Sequence, residues 1–175
     1  QLDMVAAYND LHLLCIEEPF SMTNLTTYKA WKESLPNWPI TTSICLDESI
    51  LSYDDLSYAI EYRLIDVLNV KVGRLGGLIQ TRAAILRCRE AGIPYWIGSM
   101  VESGISKILH VQLAALGDTY MAGDLSDSSR YFEYDLINPA ILFTDGSMQV
   151  PNGAGLGVDV LDNRIEEYTV EKRTL

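Results

Sequence analysis

"ITTSICLDES", residues 40–49, is an apolar, β-branched run that stops on two adjacent carboxylates, Asp47 and Glu48. The same design occurs upstream, where "HLLCIEEPF" (12–20) runs into Glu17 and Glu18. It occurs again downstream, where "DVLNVKVGRLGG" (66–77) ends on Lys71 and a glycine-rich turn. Short runs rich in Val, Ile and Leu, bounded by turn residues, read as buried strands. The segments between them carry helix signals. "TTYKAWKESL" (26–35) is one helix; "SYDDLSYAIEYRL" (52–64) is the next, with Ser52 as N-cap and Asp54 and Asp55 at its positive end. Helices are also expected over 78–91, stopped by Gly92 and Pro94, and over 104–116.

Strands are therefore expected at 12–17, 41–47, 66–72, 94–98 and 119–123, with residues 3–11 as the end of an amphipathic helix. Asp47 to Lys71 is 24 residues and Lys71 to Met100 is 29. Regular βα repeats of this size indicate an α/β fold with a parallel sheet covered by helices, either a doubly wound sheet or a TIM barrel. No GxGxxG follows the first strand, and "GRLGG" (73–77) lacks that spacing, which weakens a dinucleotide-binding reading. From residue 131 the pattern changes. "ILFTDGSMQVPNG" (141–153) places DG and NG turn signals between short apolar runs, as β-rich, turn-rich chain does.

Composition narrows the function. The chain is 48% hydrophobic and 21% charged, so it can build a core. Its net charge of −11 argues against nucleic acid and anionic membranes as partners. No apolar run is long enough to span a bilayer. The three cysteines form no CxxC pair and are expected as buried thiols in a reducing, cytoplasmic compartment. His12 and His110 read as ordinary strand and helix residues.

Side chains alternate along a strand, so Glu17 shares a face with Cys15, Asp47 with Cys45, and Lys71 with Asn69. One acid at a strand end is most simply a solvated loop residue. Three charges at consecutive C-terminal strand ends match the end of an α/β barrel that carries active sites. Two carboxylates on neighbouring strands form an all-oxygen site suited to Mg²⁺, which keeps water or substrate oxygens as its other ligands. Zinc lacks its usual nitrogen and sulfur donors there.

These residues resemble the enolase superfamily, in its muconate-lactonizing branch. "CIEEPF" (15–20), "CLDES" (45–49), "LNVKVGRLGG" (68–77) and "IGSMVESG" (97–104) resemble the family's motifs on barrel strands 4, 5, 6 and 7. "GDLSDSSRYFEYDL" (123–136) and "VPNGAGLGV" (150–158) resemble the end of the o-succinylbenzoate synthase/N-acylamino acid racemase family. The resemblance implies an enolase-type (β/α) barrel domain of which only the later strands, about 4 to 8, are present. Residues 1–130 would form that partial barrel, and residues 131–175 a β-rich arm returning to the family's capping domain.

The resemblance also implies roles. Glu17 and Asp47 become two of three carboxylates on Mg²⁺ or Mn²⁺, and Lys71 one of two catalytic lysines. Glu48 and Asn69 become supporting groups near that lysine. Ser99, Met100 and Glu102 line the pocket. Such enzymes remove a proton α to the carboxylate of a small-molecule substrate and pass through an enediolate, which a divalent cation stabilises. The implied activity is o-succinylbenzoate synthesis, a dehydration in menaquinone biosynthesis, or racemisation of N-acyl or N-succinyl amino acids by the same residues. A homo-oligomer is expected. The family's first lysine motif, its first metal Asp and its capping domain do not occur in this sequence, and residue 1 is Gln. The expectation is the C-terminal half of a longer enzyme, inactive alone, or a catalytically incomplete fragment. Glu17 to Asp47 is 30 residues, longer than the family's usual spacing, with the extra length near "SLPNWPITT" (34–42). Glu18 stands where the family usually has Gln.

Overall fold

The computed structural model describes residues 1–21 and 24–173. The chain divides into two compact units, one of residues 1–96 and 119–122, the other of residues 97–118 and 123–175. No helix among the described residues is long and apolar enough to cross a membrane.

The first unit opens with helix α1 (Leu2–Ala6), which tightens into a 3₁₀ turn over Ala7–Leu11. Strand β1 (Ile16–Glu17) follows, then α2 (Leu25–Ser34), β2 (Ile44–Leu46), α3 (Tyr53–Glu61), β3 (Val67–Val70), α4 (Leu78–Ala91) and β4 (Tyr95–Ile97). The sheet order is β1-β2-β3-β4. β1 pairs parallel with β2, Glu17 facing Cys45, and β2 pairs parallel with β3, Cys45 facing Val67. Sequential strands that are parallel neighbours with helical crossovers are what the βα repeats predict. Every residue of β2, β3 and β4 is buried, as in a sheet covered on both faces.

The caps explain the helix boundaries. Asn24 accepts from the Thr27 amide at the start of α2. Ser52 accepts from the Asp55 amide at the start of α3, while Asp55 accepts from the Ser52 hydroxyl and the Leu51 amide. Gly92 ends α4 at φ 69°, where a Cβ would be unfavourable, and the Ile93 amide closes onto the Cys88 carbonyl.

The extra length between β1 and β2 is packed rather than loose. Trp38 stands 5.7 Å from Trp31 and 5.9 Å from Phe20 in an aromatic cluster with Tyr28. Asn9 donates to the Pro39 carbonyl and accepts from the amides of Thr41 and Thr42, which steers the chain into β2.

Two expected strands are cut back. The first covers only Ile16–Glu17, because His12 turns left-handed at φ 52° and Leu13 and Leu14 are exposed. His12 is thus an exposed turn residue and not a strand residue. The strand expected at 119–123 does not form. What remains is a hydrogen bond from the Tyr120 amide to the Tyr95 carbonyl and one parallel bridge, Gly98 to Asp124.

In the second unit, helix α5 (Gly104–Ala114) packs Ile108 and Val111 against Ile137 and Ile141. Strands β5 (Ile137–Asn138) and β8 (Asp159–Val160) pair antiparallel, as do β6 (Phe143–Thr144) and β7 (Ser147–Met148). The β6–β7 turn is Asp145-Gly146, both at positive φ, the backbone that a DG hairpin turn requires. Helix α6 (Asp162–Tyr168) closes the described chain.

All three cysteines are free thiols. Cys45 and Cys88 are fully buried, and Cys15 is half-buried beside Cys45 in the cluster formed with Val67 and Trp96. Burial pushes the Cys88 thiol up to about 12. It also raises Cys45, which accepts from Trp96 Nε1 at 3.3 Å, and raises Cys15. The thiolate is the reactive form, so Cys45 and Cys88 are expected to resist a thiol reagent at pH 8 until the chain is denatured, with Cys15 reacting slowly. Labelling of all three in the folded protein at the rate of a free thiol would show the sheet packing to be wrong.

Candidate active site

Parallel pairing brings three strand ends together in the first unit. Glu17 is the last residue of β1, Asp47 is the first after β2, and Lys71 is the first after β3. Asp47 is buried, and its carboxylate lies between two cations. Lys71 Nζ donates to Oδ2 at 2.5 Å, and the Arg74 guanidinium contacts Oδ1. The side chains of Lys71 and Arg74 are each 12% exposed and that of Asp47 is 3% exposed, so this three-member ion cluster is largely withdrawn from water. Asn69, buried on β3, reaches across to β1, and its Nδ2 donates to Glu17 Oε1 at 2.6 Å.

The supporting residues take specific places. Glu48 is exposed and accepts from Arg74 Nη2 at 3.3 Å. Asn69 serves Glu17 through its amide nitrogen, and its buried Oδ1 has no hydrogen-bond partner among the described residues. Glu18 sits at φ 39° and turns its carboxylate toward the chain just after β2. Oε1 accepts from the amides of Asp47 and Ser49, both at 2.8 Å, and Oε2 accepts from the Ser49 hydroxyl at 2.9 Å. Burial pushes the Glu18 carboxyl above its ordinary range, the Ser49 hydrogen bonds oppose this, and the charges of Glu48 and Glu17 reinforce it.

Two participants escaped sequence reasoning. Arg74 lies three residues past Lys71, and the turn that follows β3, closed by the Leu75 amide on the Lys71 carbonyl, brings it back over Asp47. The visible signal was its spacing in "KVGR", but pairing with a residue 27 positions earlier is a tertiary fact. Glu18 was visible as a second acid, and its three hydrogen bonds were not.

Ser99, Met100 and Glu102 belong to the second unit. Ser99 Oγ donates to the Asp124 carbonyl at 3.1 Å. Met100 is exposed, and its amide donates to Glu102 Oε1 at 3.0 Å. Glu102 also accepts from the Ser106 hydroxyl at 2.5 Å and lies 3.1 Å from Nδ1 of the fully buried His110. Burial alone raises the Glu102 carboxyl, but the bonds from His110, Met100 and Ser106 outweigh it and hold the group at about 2. His110 is therefore the buried partner of an acid rather than an incidental helix residue.

Among the described residues no group of three or more His, Cys, Asp or Glu side chains is placed to hold a metal. The oxygen set of the first unit nonetheless fits a hard divalent cation. It comprises two carboxylates from neighbouring strands and the unpartnered buried Oδ1 of Asn69, with no imidazole beside them. Lys71 and Arg74 supply the positive charge at Asp47 in this structure.

Comparison with known proteins follows the same lines. The chain is 35% identical over 163 residues to an o-succinylbenzoate synthase of Geobacillus kaustophilus, covering 93% of this chain and 42% of that protein. It is 34% identical over 168 residues to an N-succinylamino acid racemase of Amycolatopsis sp, covering 96% of this chain and 44% of that protein. The chain thus spans less than half the length of these relatives. A solved structure of a probable mandelate racemase from Alicyclobacillus acidocaldarius superposes with a TM-score of 0.81 at 31% identity, over 97% of this chain and 44% of that one. The model of the enolase C-terminal domain-like family matches residues 1–164. By its parallel βα sheet, by the charged ends of its strands and by this match, the chain belongs to the enolase C-terminal domain-like family.

Proposed function

We propose that this chain supplies two metal carboxylates and one proton-transfer lysine to an o-succinylbenzoate synthase. The observation that carries the reading is the junction of three adjacent parallel strand ends. Lys71 Nζ lies 2.5 Å from Asp47, and Asn69 ties Glu17 to β3 at 2.6 Å. In this reading residues 1–130 are the later part of the barrel, and residues 131–175 return to a capping domain.

Glu17 and Asp47 would hold Mg²⁺, or Mn²⁺ in its place. The bound ion supplies Lewis-acid stabilisation of negative charge on the substrate carboxylate. The chain's own groups do the rest. Asn69 sets the Glu17 rotamer. Arg74 and Lys71 hold Asp47 in one orientation. Lys71 holds or moves a proton at Nζ on one face of the carbon α to the substrate carboxylate. Asp47, Lys71 and Arg74 are buried enough to keep their charges strongly coupled, while Glu17 lies exposed at the end of β1.

A second reading, N-succinylamino acid racemase, is favoured by one observation: relatives of both names match at 35% and 34% identity. The test is product formation by the native polypeptide that carries this chain, whose intact mass also gives its length. Formation of o-succinylbenzoate and racemisation of an N-succinyl amino acid are each followed with Mg²⁺ and after EDTA. Synthase turnover that EDTA abolishes is the expected result. Racemisation without o-succinylbenzoate transfers the assignment to the second reading. Turnover that survives complete metal removal overturns both.

A further inference from the structure

We propose that Glu18 is a positioning residue: its carboxylate clamps the Asp47–Ser49 turn and thereby sets the orientation in which Asp47 meets a divalent cation. The inference rests on the metal reading above but assigns a task to a residue which that reading leaves without one.

The geometry begins with the sheet ladder. The last rung between β1 and β2 is the Glu18 amide donating to the Cys45 carbonyl at 3.0 Å. Beyond it the chain after β2 turns, with the Ile50 amide closing on the Asp47 carbonyl at 3.1 Å. A turn leaves amide groups without ladder partners, and buried amides need acceptors. Asp47 and Ser49 are 2% and 5% exposed, so water does not satisfy theirs. Glu18 does, with two bonds at 2.8 Å to one oxygen. Its other oxygen takes the Ser49 hydroxyl at 2.9 Å. A carboxylate that accepts backbone amides forms charge-assisted hydrogen bonds, roughly twice as strong as neutral ones.

Reaching this position places Glu18 at φ 39°, a left-handed conformation that a residue with a Cβ adopts at a cost. The preceding residue, Glu17, is then the last extended position of β1, with its side chain on Asn69. One backbone reversal therefore sends two consecutive acids to different tasks. Glu17 stays at the strand end. Glu18 bends across to β2 and spends both oxygens there, which removes it from the set of cation ligands. Partners that orient a ligating carboxylate typically change metal affinity by about 10–100-fold when lost.

The test uses the native polypeptide that carries this chain, with Mn²⁺ as the probe ion and amide hydrogen exchange as the structural readout. Glu18→Ala removes all three bonds. Glu18→Gln keeps the oxygen that accepts both amides and offers an N–H to the Ser49 hydroxyl. Ser49→Ala removes only the hydroxyl bond and guards against a Glu18→Ala chain that fails to fold. We expect fast exchange of the Asp47 and Ser49 amides in Glu18→Ala, and protection between that of Glu18→Ala and wild type in Glu18→Gln and in Ser49→Ala. The Ile85 amide in α4 should stay protected in all three, which separates a local clamp from global opening. Mn²⁺ affinity should fall about 10–100-fold in Glu18→Ala and hold in Glu18→Gln. Unchanged protection of Asp47 and Ser49 in Glu18→Ala overturns the clamp. Damage from Glu18→Gln equal to that from Glu18→Ala also overturns it, because the retained oxygen still accepts both amides. A wild-type polypeptide that carries this chain and binds no Mn²⁺ counts against the metal reading, while the exchange pattern still decides the clamp.

Discussion

Lys71→Ala is expected to remove nearly all turnover from the polypeptide that carries this chain while leaving its affinity for a divalent cation intact or raised. Loss of a general acid or base costs ~10²–10⁴ in rate. The metal expectation comes from the geometry. Lys71 Nζ lies on Asp47 Oδ2 at 2.5 Å, so in the proposed reading the amine would compete with a cation for that oxygen and would not ligate the cation itself. Removing it takes away one of the two positive charges at Asp47 and leaves Arg74 on Oδ1. For a racemase the loss is lopsided. The lysine that the family resemblance assigns to the opposite face still exchanges the α-proton of one enantiomer in deuterated solvent. Turnover within a few-fold of wild type would make Lys71 a structural lysine. A collapse of cation affinity together with activity would make it an organiser of the metal site.

Asp47→Asn should produce the second large effect, this time on both folding and cation binding. The substitution preserves volume but removes the counter-charge of two cations whose side chains are each 12% exposed. Breaking a buried ion pair by removing one partner destabilises by about 3–5 kcal/mol, because the surviving charges are left uncompensated out of water. Unfolding of the polypeptide that carries this chain, in urea with EDTA present, should therefore show a lower midpoint at an unchanged slope. Mn²⁺ affinity should fall by more than the Glu18→Ala variant loses, since a proposed ligand is removed rather than its support. An unchanged midpoint and unchanged Mn²⁺ binding would show that the cluster around Asp47 neither holds the fold nor meets a metal.

The two variants act on one carboxylate from opposite sides and separate its two tasks. Lys71→Ala leaves Asp47 with a guanidinium partner, so folding should be little affected while chemistry fails. Asp47→Asn leaves both cations without their acid, so folding suffers first.

Much of this molecule is legible in its sequence, for local reasons. The runs ending at Asp47 and Lys71 are rich in Val, Ile and Leu, and β2 and β3 within them are buried along their whole length, as in a covered parallel sheet. Ser52 at the start of α3 and Gly92 at the end of α4 are chemical boundary marks, and both boundaries fall where those residues place them. Asp145-Gly146 dictates a hairpin because few other pairs tolerate its backbone. The spacing of the charged strand ends follows from the βα repeat length, so the sequence marks Glu17, Asp47 and Lys71 as candidates.

The tertiary structure decided what depends on neighbours distant in the chain. Residues 12–15 have the composition of a strand, yet they lie at the start of the edge strand, and only Ile16 and Glu17 find pairing on β2. Residues 119–123 keep single hydrogen bonds to the β4 region in place of a strand. Arg74 on Asp47, Asn69 on Glu17 and Glu18 on Ser49 span 27, 52 and 31 positions respectively. No local preference encodes those pairings. They exist because parallel pairing puts the C-terminal ends of β1, β2 and β3 side by side, where the buried charge of Asp47 must find a partner within a few ångströms. Sequence alone marked Glu17, Asp47 and Lys71 as candidates for the chemistry. Burial and strand adjacency determined that Asp47 is held by two cations, that Glu17 is held by an amide, and that the second acid of "EEP" faces the backbone of its neighbour.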